Sequence, residues 1–280
     1  MKNREELVKI YDRVISDIKN GYYENSFGEE IEFSGISKLK KDSVMYESLP
    51  PCDDHPVFPS TKIYVENTDT YLKAIEMGPK AAVLNMASHR NPGGGVSKGS
   101  RAQEEELCRR SNLLYSLYSF TGKGKELFSN RKSESYPIPT FGGIYSPKVS
   151  IYRKPGSYLP YDEPFFTNVI SVAGLLHPEI DSTTGLMLKK YIHIVKSKIR
   201  TILRIAIIHK HSKLVLGALG CGAFGNPPKH IAKLFKEVLE ESEFKNSFEE
   251  ICFAILDDGN TGKAHNPEGN YKPFVDVFGV

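Results

Sequence analysis

Only four of the 280 residues are cysteine, at positions 52, 108, 221 and 252, and no two form a CxxC pair. With spacing this wide, neither a disulfide-stapled scaffold nor a cysteine-based zinc site is expected. Long apolar runs are missing as well: none approaches the ~20 residues that cross a bilayer. The first residues, Met1-Lys2-Asn3-Arg4-Glu5-Glu6, lack the apolar core of a secretion signal. Charge of one sign is scarce. The net charge is +3, and the densest basic cluster, Lys38, Lys40 and Lys41, sits beside acidic neighbours. Sequence-specific nucleic-acid binding needs a concentrated basic stripe and is not expected. The eight histidines form no HExxH pattern. The expectation is a soluble cytoplasmic protein that uses neither metal nor cofactor.

What is present is ordinary globular material, 40% hydrophobic and 25% charged, in a length that suits one elaborated domain. Leu7, Ile10, Tyr11, Val14, Ile15 and Ile18 recur at helical spacing, predicting a helix over 4–19 that Gly21 ends. Residues 20–60 read as irregular, with Pro50, Pro51, Pro56 and Pro59 near their end. We divide the chain into an N-terminal helical extension, 1–60, wrapping a main domain, 61–280. From Thr61 onward, strands at 62–65, 81–86, 165–172, 213–216 and 250–256 alternate with helices at 68–77, 101–119, 186–209 and 227–241. That alternation predicts an α/β domain with a largely parallel central sheet. Residues 121–163, rich in Gly, Pro, Ser and Tyr, read as a long insertion with short strands near Ile144-Tyr145 and Ser150–Tyr152.

Two loops carry the chemistry. The first, Asn91-Pro92-Gly93-Gly94-Gly95-Val96, follows a strand of buried character, Ala81–Met86. Ligands of open α/β sheets bind beyond the carboxyl ends of strands, and glycines let backbone approach them closely. Ser100-Arg101-Ala102-Gln103 fits a capping box with Ser100 as N-cap. Glu104, Glu105 and Glu106 then fill the first turn. Acidic residues there stabilise a helix by ~0.3–1 kcal/mol through its dipole, which by itself explains the three glutamates. Helical phase separates them, with Glu104 on the apolar face of Leu107, Cys108, Ser111, Leu114, Tyr115 and Tyr118, Glu105 at its border and Glu106 opposite. A carboxyl on the buried side needs a partner or a ligand.

The second loop, Gly217–Pro228, also follows a strand. Asn226 is placed to cap the next helix and Pro227 to open it. Glycine-rich backbone before a helix start suits an anion, a diphosphate above all. Phe224 offers an apolar face for a base or sugar, or else a core aromatic. Gly220–Gly225 also fits GxGxxG. A dehydrogenase would place that motif after its first strand, and here only one strand follows.

The pair of loops resembles the microbial-type poly(ADP-ribose) glycohydrolases, a branch of the macrodomain superfamily. That family carries GGG, a spacer and QEE, matched by Gly93-Gly94-Gly95 and, seven residues on, Gln103-Glu104-Glu105. Leu84–Ser88 before it and Glu106–Arg109 after it agree, and Val215–Pro227 is similar to the family's second phosphate loop. The resemblance implies a three-layer α/β/α macrodomain with a mixed, largely parallel sheet. It implies Glu105 as catalytic acid/base, with Glu104 positioning a ribose hydroxyl or the leaving oxygen. Asn85 and Ser88 would line the distal ribose and Gly93, Gly94, Gly95 and Val96 would hug it, with Gln103 part of the same motif. Gly220, Cys221, Gly222, Ala223 and Phe224, closed by Asn226, would hold the diphosphate, with Phe224 near the distal ribose and adenine. Ala223 departs from the bulkier residues common there. The partner implied is ADP-ribose or an ADP-ribosylated macromolecule.

Cleavage of a ribosyl bond passes through an oxocarbenium-like state. A protonated Glu105 can give its proton to the departing oxygen and then take one from water, and burial beside Glu104 favours the protonated form this needs. The substrate's own diphosphate can stabilise the positive charge. Poly(ADP-ribose) cleavage is the leading reading. Removal of single ADP-ribose units from protein or nucleobase, and non-catalytic ADP-ribose reading, are the alternatives.

Overall fold

The computed structural model describes residues 2–51, 55, 57–133 and 135–279. Cys52 of the cysteine argument and Pro56 of the proline cluster lie outside them. The elements in chain order are α1 (Arg4–Asn20), β1 (Tyr22–Glu24), β2 (Glu30–Glu32), α2 (Ile36–Asp42), β3 (Val44–Tyr46), β4 (Lys62–Glu66), α3 (Thr70–Met77), β5 (Ala81–Ala87), α4 (Gln103–Arg110), α5 (Leu113–Tyr118), α6 (Gly122–Phe128), β6 (Gly143–Arg153), β7 (Pro160–Ala173), α7 (Ile192–Ile208), β8 (Lys213–Leu216), α8 (Pro228–Leu239), β9 (Glu250–Ala254) and α9 (Tyr271–Phe278).

Seven strands form one sheet in the order β3-β6-β7-β5-β8-β9-β4. Pairing is parallel from β7 through β5, β8 and β9 to β4, while β6 runs against both β7 and β3. One strand of seven is therefore reversed, and the sheet is mixed and largely parallel. Alternate residues of each central strand feed two cores. Ala82 and Leu84 of β5, with Leu214 and Leu216 of β8, pack with Ile199 and Ile202 of α7, Ile231 and Phe235 of α8 and Phe274 of α9. Val83 of β5 and Val215 of β8 face the other way, towards Val14 of α1, Tyr71 of α3, Leu107 of α4 and Leu113 of α5. The architecture is α/β/α in three layers.

Three sequence expectations change. The insertion at 121–163 contains a helix and most of a long antiparallel hairpin, β6 with β7. Nearly every residue of β6 is buried on both faces, so no alternation marks it as a strand, and a bulge between Ser146 and Val149 interrupts its register. The single helix expected over 101–119 is two, α4 and α5. At the break, Ser111 is extended and Asn112 exchanges hydrogen bonds with Ser150 of β6, through its backbone N (3.2 Å) and its Oδ1 (2.9 Å). Ser and Asn compete with helix in this way. Residues 20–60, read as irregular, hold three strands and a helix among the described residues, and β3 pairs with β6 at the edge of the main sheet.

Candidate active site

The carboxyl ends of β5, β8 and β9 open into a cleft with two connected chambers. One, of about 710 Å³, is lined by Ser88, Gly94, Gly95, Val96, Glu104 and Glu105 among others. The other, of about 450 Å³, takes in Gln103, Gly220, Gly222 and the segment from Ala254 to Asn260. Met86, Ala102, Ala223 and Phe224 line both, so the chambers meet over Phe224.

The start of α4 is fastened from behind. β5 pairs with β8 only as far as Val83. Beyond it the Gln103 amide covers the bare strand edge, donating from Nε2 to the Leu84 carbonyl (2.7 Å) and accepting from Met86 N at Oε1 (2.9 Å). The expected capping box is absent: Ala102 is the N-cap, and no side chain caps the helix. Gln103 does more as a tie to the sheet than it could as a cap, because it satisfies two backbone groups of a buried strand.

Glu104 and Glu105 are both buried, while Glu106 is partly exposed, as the helical phase predicts. Glu104 accepts from Ser88 N at Oε2 (2.7 Å) and from Gly93 N at Oε1 (3.1 Å), with Asn85 Nδ2 at 3.4 Å. Burial, strengthened by the neighbouring Glu105, pushes its carboxyl up to about 8 against the pull of those backbone donors. Glu105 accepts from Gly95 N at Oε1 (2.8 Å). Its Oε2 is buried and has no partner among the described residues, on a side chain that lines the larger chamber. The glycine run is needed for this approach. At Gly94 (φ +57°) a Cβ would lie 2.5 Å from Glu105 Oε1 and 3.1 Å from Glu104 Oε2.

The second loop is held by its own side chains. Asn226 does not cap α8, whose N-cap is Pro227 with no side-chain bond. Its Nδ2 instead donates to the carbonyls of Leu175 (2.6 Å) and Gly220 (3.0 Å), closing the loop on itself and onto the end of β7. Cys221 is wholly buried, and burial raises its thiol far from any nucleophilic range. Asn85, Gly93, Cys221 and Asn226 thus stand behind the cleft wall, while Ser88, Gly94, Gly95, Val96, Gln103, Glu104, Glu105, Gly220, Gly222, Ala223 and Phe224 form it.

The sequence reading missed the third wall. Leu256, Asp258, Asn260 and Asn270 line the smaller chamber. His265 donates from Nε2 to the Cys221 carbonyl (3.1 Å), and Asn266 donates to the Asn260 carbonyl (2.7 Å). The signal was available: Asp257-Asp258-Gly259-Asn260 follows a parallel strand, the same place in the fold that marked the other two loops. Glu106, placed by helical phase opposite the apolar face and given no role there, lines the smaller chamber. It is held there by Arg109 (2.9 Å) and by the Tyr158 hydroxyl (2.7 Å). No helix among the described residues is long and apolar enough to cross a membrane.

Comparison with known proteins places this geometry. The profile of the microbial-type PARG catalytic domain matches residues 12–154. The chain superposes on poly(ADP-ribose) glycohydrolase from Thermomonospora curvata with a TM-score of 0.78 and 24% identity, over 98% of this chain and 100% of the other. It superposes on the Deinococcus radiodurans enzyme in complex with ADP-ribose with a TM-score of 0.68 and 26% identity, over 88% and 98%. A T. curvata structure bound to the inhibitor ADP-HPD gives a TM-score of 0.76 at 23% identity, over 98% and 99%. No curated protein matches the chain in sequence.

Proposed function

This chain belongs to the microbial-type poly(ADP-ribose) glycohydrolase catalytic-domain family, and on that premise we propose that it releases ADP-ribose from poly(ADP-ribose), with Glu105 as acid/base. The observation that carries the assignment of Glu105 is its divided carboxyl. One oxygen is anchored on Gly95 N and the other, unpartnered, belongs to a side chain on the chamber wall. An anchored carboxyl with a free oxygen is what proton delivery to a glycosidic oxygen requires.

The adenine occupies the smaller chamber and the distal ribose the larger. The diphosphate crosses between them over Gly220–Phe224, near the start of α8. Loop amides there meet the anion without rearranging. As the ribosyl–oxygen bond breaks, Glu105 protonates the departing oxygen. It then takes a proton from the water that attacks the anomeric carbon. Positive charge on the ribose is offset by the substrate's own diphosphate, so no second glycosidase carboxylate is needed. Glu104, held by Ser88 N and Gly93 N, orients Glu105 and the ribose from behind. Residues 1–60 act as a brace: none of those described lines either chamber.

The test is hydrolysis of labelled poly(ADP-ribose). The wild-type chain releases ADP-ribose. Glu105→Gln loses a factor of roughly 10²–10⁴ in rate while its calorimetric affinity for ADP-ribose stays within a few-fold. No release by the wild-type chain, or an undiminished rate in the variant, overturns the assignment.

A further inference from the structure

The larger chamber has more room than one ribose needs, and its outer wall is basic. Arg90 lies on the loop after β5, Lys98 on the turn after the glycine run, and Lys123 at the start of α6. All three are exposed. They line the chamber that Glu105 lines. Glu126 is the one acidic side chain on that outer wall, the others being Glu104 and Glu105 themselves. Lys123 Nζ stands over the Tyr118 ring, 5.1 Å from its centroid. Arg90 and Lys98 make no salt bridge among the described residues. In a protein of net charge only +3, three cations from three separate elements converging at one mouth are an anion-attracting feature.

We propose that Arg90, Lys98 and Lys123 form an acceptor-side subsite that binds the diphosphate of the preceding ADP-ribose unit, so that the site favours a polymer terminus over a single unit on an uncharged group. This rests on the reading of Glu105 as the acid. That reading directs the donor unit towards Phe224 and the smaller chamber, which leaves the basic wall to whatever stands beyond the scissile oxygen. In the polymer that oxygen belongs to the adenosine ribose of the preceding unit, whose diphosphate is only a few bonds away. A serine or glutamate side chain carrying one ADP-ribose brings no such anion. Exposed charges contribute modestly one by one and are screened by salt. Their effect should therefore be seen in apparent affinity and its ionic-strength dependence, and not in the chemical step.

The experiment has two arms. In the first, an Arg90→Ala/Lys98→Ala/Lys123→Ala variant is compared with wild type on an ADP-ribose dimer and on ADP-ribose joined to an uncharged aglycone. Expected is a roughly tenfold loss of kcat/KM on the dimer, carried by KM, with the uncharged substrate unchanged. Equal loss on both substrates, or no loss on the dimer, overturns the subsite. In the second arm, Glu105→Gln, with and without the triple substitution, is titrated calorimetrically with dimer and with ADP-ribose at low and high salt. The dimer should bind more tightly than the monomer by a margin that salt and the triple substitution both erase. Absence of that margin overturns the proposal even if the chain hydrolyses polymer. A chain that shows the margin but does not hydrolyse fails the acid assignment alone. Faster cleavage of ADP-ribosylated DNA than of dimer, lost in the triple variant, would replace the diphosphate with a nucleic-acid acceptor.

Discussion

Glu104 and Glu105 are neighbours with different surroundings, and their difference is testable by pH. Burial raises Glu104 from 4.5 to about 8, so the folded protein holds a proton that the unfolded chain releases near the ordinary carboxylate value. The stability this contributes is complete below about pH 4.5 and drains away as pH rises through about 8. Urea midpoints of wild type should thus fall between those limits relative to Glu104→Gln, and parallel profiles for the two proteins would contradict it. Gly94→Ala is expected to abolish turnover, because its Cβ displaces the Glu105 oxygen 2.5 Å away. Gly222→Ala meets nothing within 4 Å and has no positive φ. Its melting temperature should match wild type while ADP-ribose affinity falls, since Gly222 lines the chamber.

At the level of elements, α4 is the part that must not move. Gln103→Ala would leave the Leu84 carbonyl and Met86 N bare at the end of β5. Unsatisfied buried backbone costs about 1–3 kcal/mol per group, so urea titration should show a loss of roughly 2–6 kcal/mol for the two. From the other side, α1 packs over the turn after the glycine run. Gly99 (φ +73°) brings its backbone so close to Arg4 that a Cβ would sit 2.6 Å from the Arg4 carbonyl oxygen. Leu7, buried under α1, is expected to cost about 2–5 kcal/mol as Leu7→Ala, measured by the same titration. This scale also shows what sequence could and could not reveal. The glycine loops and the phase of Glu104 against Glu106 were legible, since both depend on local geometry. The work of Gln103 was not. A capping box and a strand tie demand the same residue at the same place, and only the gap left where β8 stops pairing decides between them. Asn226 was misread for the same reason. Its partners, Leu175 and Gly220, are brought to it by the loop and not by spacing from the helix it precedes.

Over the whole molecule, β1, β2 and β3 left no mark in the sequence because each is only three residues long, and β6 showed only as two short pieces, near Ile144-Tyr145 and Ser150–Tyr152, because burial on both faces removes its period-two signal. The central strands β5, β8 and β9 were legible because continuous apolar runs of strand length suit a parallel sheet covered on both sides. The cleft opens at the carboxyl ends of these three.

In the register Ile63↔Ile251, the edge strand β4 takes its one sheet neighbour among the described residues from a strand made about 190 residues later. At the usual ~5–20 residues per second, a ribosome takes roughly 10–40 s to deliver that neighbour. Throughout that interval β4 is an unpaired edge, and the Ala254–Asn260 wall of the smaller chamber does not yet exist. The nucleotide pocket therefore stays open on one side long after the first glycine loop and the start of α4 have been made.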